Sequence, residues 1–200
     1  SSRGSNLDAT DYDRNGVKLF QDGFPVTTAD GNNHNRIIDP LSARYAVFAR
    51  GANAAKYGAS TLGGAINFIS PTAYDSPSAM LFVNGGSHGQ IQARATVSKV
   101  FNEKFDGLLT VEGKHRDGYR DHDEMDRNGL YGNMGWKLSD SIGSRFYLTY
   151  VERDMELPGQ LSRQQIENNP DQASASALGG NFQADLKTWR LAKKTSWQID

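Results

Sequence analysis

From about residue 79 the apolar side chains fall at every second position, and the connections between these runs alternate short and long. In Ile91-Gln92-Ala93-Arg94-Ala95-Thr96-Val97-Ser98 the odd positions are apolar and the even ones polar. In Ser144-Arg145-Phe146-Tyr147-Leu148-Thr149-Tyr150, Phe146, Leu148 and Tyr150 share one face, and Arg145, Tyr147 and Thr149 the other. Leu130, Gly132, Met134, Trp136 and Leu138 again share one parity. A period of two is that of a strand with two chemically different faces. Strands are expected near 79–85, 90–101, 105–116, 127–138, 143–154 and 183–199. Several reach the ~9–11 residues that a tilted strand needs to cross a bilayer.

The connections carry as much information as the strands. Asn102-Glu103-Lys104 and Ser139-Asp140-Ser141-Ile142 are tight turns, with a charged loop from Asp117 to Asp126 between them. A longer polar segment, Met155 to Phe182, follows. Outer-membrane barrels have short periplasmic turns and long external loops. On that reading both long segments, and the hairpin at Gly85-Gly86-Ser87-His88-Gly89, face outside. A soluble β-sandwich would share the alternation of side chains, but nothing in it requires the alternation of loop lengths.

Composition narrows the alternatives. A mean hydropathy of -0.63 with 21 glycines fits a barrel, whose strands are only half apolar. No run of 18 apolar residues exists, which excludes a membrane-crossing helix and leaves a barrel open. The balance of 22 basic against 23 acidic side chains argues against a nucleic-acid partner. The absence of cysteine removes disulfides and thiolate metal sites. The chain starts at Ser1 without methionine and stops at Asp200 within an expected strand, so it is expected to be an internal piece of a longer protein.

Residues 1 to about 75 are different. Short apolar runs (Val17-Lys18-Leu19-Phe20, Tyr45-Ala46-Val47-Phe48, Ala65-Ile66-Asn67-Phe68-Ile69) are bounded by glycine and turn residues, as in a compact domain of short strands. Asp22-Gly23 before Pro25 signals a tight turn, and Asp39-Pro40 a helical start with Asp39 as N-cap. Pro71 and Pro77 bracket a stiff linker.

The block from Arg50 to Ser70, with its Arg50-Gly51, Tyr57-Gly58, Gly63-Gly64 and Ile66-Asn67, closely resembles the end of the plug domain of TonB-dependent outer-membrane receptors. Ser2-Arg3-Gly4 is similar to the end of an earlier plug motif, and Val17 to Val26, with Asp22-Gly23 and Pro25, to the strand-and-turn segment that follows it. Tyr147 to Val151, followed by Glu156-Leu157-Pro158-Gly159, resembles a barrel strand leading into an external loop of ferric-citrate and siderophore-type members. One departure is that Tyr45 to Ala49 carries no acidic residue, where the family usually has one before the Arg-Gly.

The resemblance implies an all-β transmembrane barrel, here partial with about six antiparallel strands, preceded by part of a mixed α+β plug domain. Residues 1–75 are then the C-terminal part of the plug and 76–200 the first barrel strands. It implies a receptor in the outer membrane of a Gram-negative bacterium that imports a ferric siderophore or ferric citrate. Its partners would be a TonB-type energy-transducing protein in the periplasm, the ferric chelate and outer-membrane lipid. No resident cofactor is implied, since iron would be bound only as part of the transported chelate. A passive or adhesin-type barrel, and import of cobalamin or oligosaccharide, are the alternatives.

Two groups of residues carry the implied function. The polar loop with Asp30, Asn32, Asn33, His34 and Arg36 corresponds to an apical plug loop that would hydrogen-bond an anionic chelate. The plug motif and gating set is Arg3, Asp22, Gly23, Arg50, Gly51, Tyr57, Gly58, Gly63, Gly64 and Asn67. Its glycines suit tight turns and close backbone approach. Arg50 suits a bidentate ion pair, as a fold-stabilising contact or a gating one, and Tyr57 suits packing. The acidic loop His115 to Asp126 holds oxygen ligands without the ordered spacing of a calcium loop, so no metal site is assigned there. Pro158, Gly159, Pro170 and a Ser/Ala-rich run make Leu157 to Phe182 read as a mobile external loop. No G-x-S-x-G, H-E-x-x-H or GK[ST] signature is present, and His34, His88, His115 and His122 have no catalytic partner by spacing, so no enzyme activity is expected.

Overall fold

The computed structural model describes residues 17–26, 38–58, 61 and 63–199. The chain divides into two units, Ser1–Pro71 and Thr72–Asp200.

In the first unit the short apolar runs become a four-stranded sheet. Strand β1 (Val17–Gln21) runs parallel to β4 (Gly64–Ile69), with β2 (Phe24–Pro25) antiparallel on the outside of β1 and β3 (Tyr45–Ala49) antiparallel on the outside of β4. The central pair is covered on both faces, as parallel pairing usually requires. Val17, Leu19, Val26, Ile38 and Ile66 form one cluster. Phe20, Ala49, Ala54 and Ala65 form the other, against which Tyr57 packs. The two connections around β3 carry 3-10 elements, one of three and one of seven residues. Pro40–Ser42 is a 3-10 turn whose N-cap Asp39 accepts the Leu41 N–H at 3.1 Å, as the Asp-Pro start predicts. Gly51–Tyr57 is a 3-10 helix opening directly after Arg50.

The second unit is one antiparallel sheet whose strands pair in sequence order. They are β5 (Ala79–Gly85), β6 (Ile91–Val100), β7 (Phe105–Arg116), β8 (Met125–Lys137), β9 (Ile142–Met155) and β10 (Leu186–Trp197). The expected strands are all present, with ends differing by up to three residues. Each β-strand from β6 to β10 spans 10 to 14 residues, enough to cross a bilayer.

The burial of this sheet is inverted relative to a water-soluble protein. On β6 the polar Gln92, Arg94, Thr96 and Ser98 are buried, and Ile91 and Val97 are exposed. Register carries the exposed apolar face across the sheet, through Leu81, Val97, Leu109, Met134, Phe146 and Leu191. Aromatic pairs flank it. Tyr150 and Trp189 lie with ring centroids 4.3 Å apart toward the long loops, and Phe105 and Trp136 stack at 5.3 Å toward the tight turns. An apolar outer band between aromatic girdles is how a barrel strand meets lipid. Nearer the long loops the same face turns polar, with His115, Asp126 and Asp154 in one row.

The segment after β9 corrects the sequence reading. Read from sequence as a mobile external loop with no element placed in it, it contains helices α1 (Arg163–Asn168) and α2 (Ala175–Gly180). Ser162 and Gln165 make a reciprocal capping box on α1, and Ser174 caps α2. The local signals, Ser-x-x-Gln and a Ser before an alanine-rich run, are present in the sequence, but each helix is too short for hydrophobic periodicity to reveal it.

Candidate functional site

Two separately placed motifs of the first unit meet at one clamp. Asp22 turns the chain after β1 with φ +58°, and its N–H donates to Phe68 O at 2.8 Å. Its carboxylate accepts both the Ser70 N–H, at 2.8 Å, and the Ser70 hydroxyl, at 2.7 Å. The Gly23 N–H donates to Asn67 Oδ1 at 3.0 Å, and Gln21 Nε2 reaches Ser70 Oγ at 3.4 Å. Asp22, Asn67 and Gln21 are all buried. A buried carboxylate needs such donors, because each unmet one costs about 1–3 kcal/mol. The expected Asp22, Gly23 and Asn67 are thus brought together, joined by Ser70 and Gln21, which the sequence did not single out as site residues.

The remaining plug-motif residues surround this sheet in different ways. Gly64 must be glycine: its φ is +129°, and a Cβ there would lie 2.7 Å from Ala49 O. Gly63 is buried in the turn before it. Gly51 opens the 3-10 helix with φ +58°, and Gly58 closes it. Tyr57 packs, with its ring 4.8 Å from Phe20 and the Lys56 ammonium 5.0 Å above it. Arg50 is exposed at the helix start, and no ion pair holds it among the described residues. Arg3, Asp30, Asn32, Asn33, His34 and Arg36 lie outside the described residues.

The second unit carries a feature that the sequence reading left unassigned, the charge of its inner face. One row across four strands holds Gln92, Lys114, Arg127 and Arg153. Arg94 pairs across from Glu112 in the next row, and Arg190 lies across from Thr149 in the row after that. Among the described strand residues on this face, Asp106 and Glu112 are the only acids. Glu112, its side chain 0% exposed, lies 3.8 Å from Arg94 Nε and 3.5 Å from Arg127 Nη1, and accepts from Gln92 Nε2 at 3.3 Å. Arg127 Nη2 also donates to the Tyr131 hydroxyl at 2.7 Å. Toward the tight turns, Arg145 grips both Asp106 oxygens at 2.7 and 2.8 Å and donates to Asn133 at 2.6 Å. Guanidinium groups against a low-dielectric wall attract anions and bind carboxylates through paired N–H donors. The signal was legible in the even parity of Arg94 and the odd parity of Arg127, Arg145 and Arg153, once β6 to β9 are registered.

At the loop end of this sheet the acidic loop folds onto the β9–β10 loop. Arg120 donates to Gln172 O, Gly159 O and Pro158 O at 2.9, 2.8 and 3.1 Å. His122 lies between Glu156 Oε1 and Phe182 O at 3.2 and 3.0 Å. The Asp171 carboxylate beside the Tyr119 hydroxyl holds the phenol above its ordinary range. The structure brings donor atoms of His115, Glu124 and Asp126 within 4.8 Å of one another. Both imidazole nitrogens are already engaged there, Nδ1 with Asp126 at 2.9 Å and Nε2 with Asp117 at 3.1 Å.

No family model matches the chain. Solved structures do resemble it. The ferric citrate transporter FecA in its unliganded form aligns over 92% of this chain and 29% of its own, at 17% identity and a TM-score of 0.72. The ferric enterobactin receptor PfeA aligns over 92% of this chain and 31% of its own, at 12% identity and a TM-score of 0.59. The siderophore receptor PiuA from Acinetobacter baumannii covers 69% and 19%, at 20% identity and a TM-score of 0.56. The chain therefore spans less than a third of the length of these receptors. A short mixed sheet followed by an antiparallel sheet with an apolar outer and a polar inner face is the fold of part of the plug and part of the barrel of such TonB-dependent outer-membrane receptors, and this chain has that fold.

Proposed function

We propose that the chain is part of an outer-membrane receptor that imports an anionic ferric chelate, of the ferric citrate or siderophore kind, by energy-coupled movement of its plug. The carrying observation is the cationic inner face, with Lys114, Arg127 and Arg153 in one row and Arg94 and Arg190 beside it, behind an apolar outer band. A wall of this kind raises the positive potential that a polyanion meets on its way inward. The outer-membrane location rests on the apolar band and its aromatic girdles.

In this reading residues 1–75 belong to the plug and 76–200 to the barrel. Asp30, Asn32, Asn33, His34 and Arg36 meet the chelate from the plug side. Asp22, Gly23, Asn67 and Ser70 keep β1 and β4 joined while a TonB-type partner pulls on the plug from the periplasm. The protein is a carrier, with no catalytic role assigned to any side chain.

The test is uptake of radiolabelled iron by cells carrying the full-length gene, with a panel of ferric chelates, in the presence and absence of the energy-transducing protein. Uptake of one anionic chelate that vanishes without that protein is the expected result. Uptake that persists without it points to a passive barrel, and uptake of a neutral chelate alone sinks the anion reading.

A further inference from the structure

We propose that Arg120 is the positioning residue of the extracellular rim: it fixes the β9–β10 loop onto the β7–β8 loop, so that the two present a preformed wall to arriving ligand. The extracellular placement and the ligand rest on the importer reading above; the rest follows from the loop geometry.

Arg120 leaves the β7–β8 loop and commits all three guanidinium nitrogens to backbone carbonyls of the other loop. Pro158 and Gly159 precede α1, and Gln172 follows it. One side chain therefore closes the long loop on itself and onto its neighbour. Only a planar fork of donors can meet three carbonyls in this way, since an ammonium donates from a single point.

The surroundings are built to match. Ser174 N–H donates to Pro158 O at 2.8 Å, and Asp121 N–H to Asp171 O at 2.6 Å. Glu156 N–H donates to Glu124 O at 2.9 Å. Ala173, Ser174 and Ala177 are buried in the long loop. Gly159 has φ +70°, and a Cβ on it would strike Ser174 Oγ, so the chain passes where no side chain fits. A segment that opens and closes is drawn from the least-contacted parts of a structure. This one is tied at both sides of α1, so any closure over ligand belongs to other parts of the receptor.

The experiment uses the full-length receptor in its membrane. Arg120→Ala is expected to raise the KM for chelate import about tenfold, equivalent to about 1.4 kcal/mol, with the maximal rate unchanged. Protease cleavage within residues 156–185 becomes several-fold faster. Arg120→Lys behaves as Arg120→Ala does. These 200 residues hold no cysteine, so, with any cysteine elsewhere in the full-length receptor replaced by serine, the pair Asp121→Cys with Asp171→Cys gives one defined cross-link. Oxidised in the Arg120→Ala background it restores the KM, and in the otherwise native receptor it leaves import intact.

Unchanged cleavage and KM in Arg120→Ala overturn the proposal, and so does import blocked by the cross-link in the otherwise native receptor. Should Arg120→Ala fail to reach the membrane, that cross-link alone decides. If the native receptor imports no chelate at all, the importer reading fails, while the cleavage comparison still decides the role of Arg120.

Discussion

The two sheets of this chain bury opposite kinds of side chain. In the first unit Val17, Leu19 and Ile66 are buried together, and the exposed positions are mostly polar or in turns. In the second, Arg94, Thr96, Glu112 and Arg127 are buried, while Leu81, Val97 and Leu191 are exposed. The first sheet is held together by removal of apolar surface from water. The second turns its polar groups inward and leaves its apolar face uncovered by protein, so its cohesion rests on strand ladders and side-chain networks. One chain can do both because register, not composition, decides which parity faces which medium.

The comparison is broken most severely at Glu112. Glu112→Ala removes the carboxylate beside Arg94 and Arg127 in a fully buried position. A loss of about 3–5 kcal/mol is expected, the size typical of removing one partner from a buried ionic network. Heat-modifiable gel mobility of the full-length protein is the measurement, and a native-like melting temperature sinks the claim.

A matched pair of truncations sharpens the contrast. Ile66→Ala in the first sheet is expected to cost roughly 2–5 kcal/mol. Leu109→Ala on the exposed apolar face costs less, about 1 kcal/mol, since the side chain is 43% exposed and little protein packs on it. Urea titrations in bilayers read both, and equal losses would mean that the outer face is packed as a core.

A smaller effect is expected at the clamp. Ser70→Ala removes the hydroxyl that donates to Asp22 and accepts from Gln21 Nε2 but leaves the Ser70 N–H contact, for about 1 kcal/mol. Hydrogen exchange at the Asp22 and Gly23 amides should then rise. No change there would mean that the turn is held by the backbone alone.

The smallest effect concerns pH. The Asp171 carboxylate favours the neutral Tyr119 phenol, so its folded value lies above the ordinary 10.0. A raised value contributes stability that is full below pH 10.0 and is lost as pH rises through the folded value. Protease cleavage of the β9–β10 loop should accelerate only above about pH 10. Acceleration already at pH 8 would point to another group.

Much of the architecture was legible locally. Period-two alternation over Ile91–Ser98 and Ser144–Tyr150 located strands, and Asn102 to Lys104 and Ser139 to Ile142 located the tight turns. Asp39-Pro40 gave its cap, and Asp22-Gly23 its turn. The candidate site was legible only in pieces. Asp22 and Asn67 were singled out by resemblance, but their partner Ser70 was not, since it is 48 residues from Asp22. The arginines of the inner face lie on strands far apart in sequence, and a charge on one strand says nothing about its neighbour in the next. Arg120 read as one more charge in an acidic loop, because its three acceptors are backbone carbonyls, which no sequence pattern distinguishes.

By itself the sequence determined which segments are strands, which face of each is apolar and where the chain turns, because these follow from neighbours within a few residues. Only the tertiary structure decided the parallel pairing of β1 with β4, the cationic row through Lys114, Arg127 and Arg153, and the docking of the β9–β10 loop on Arg120. Each of these joins residues through space, and the energy that selects among possible partners exists only once the whole sheet is in register.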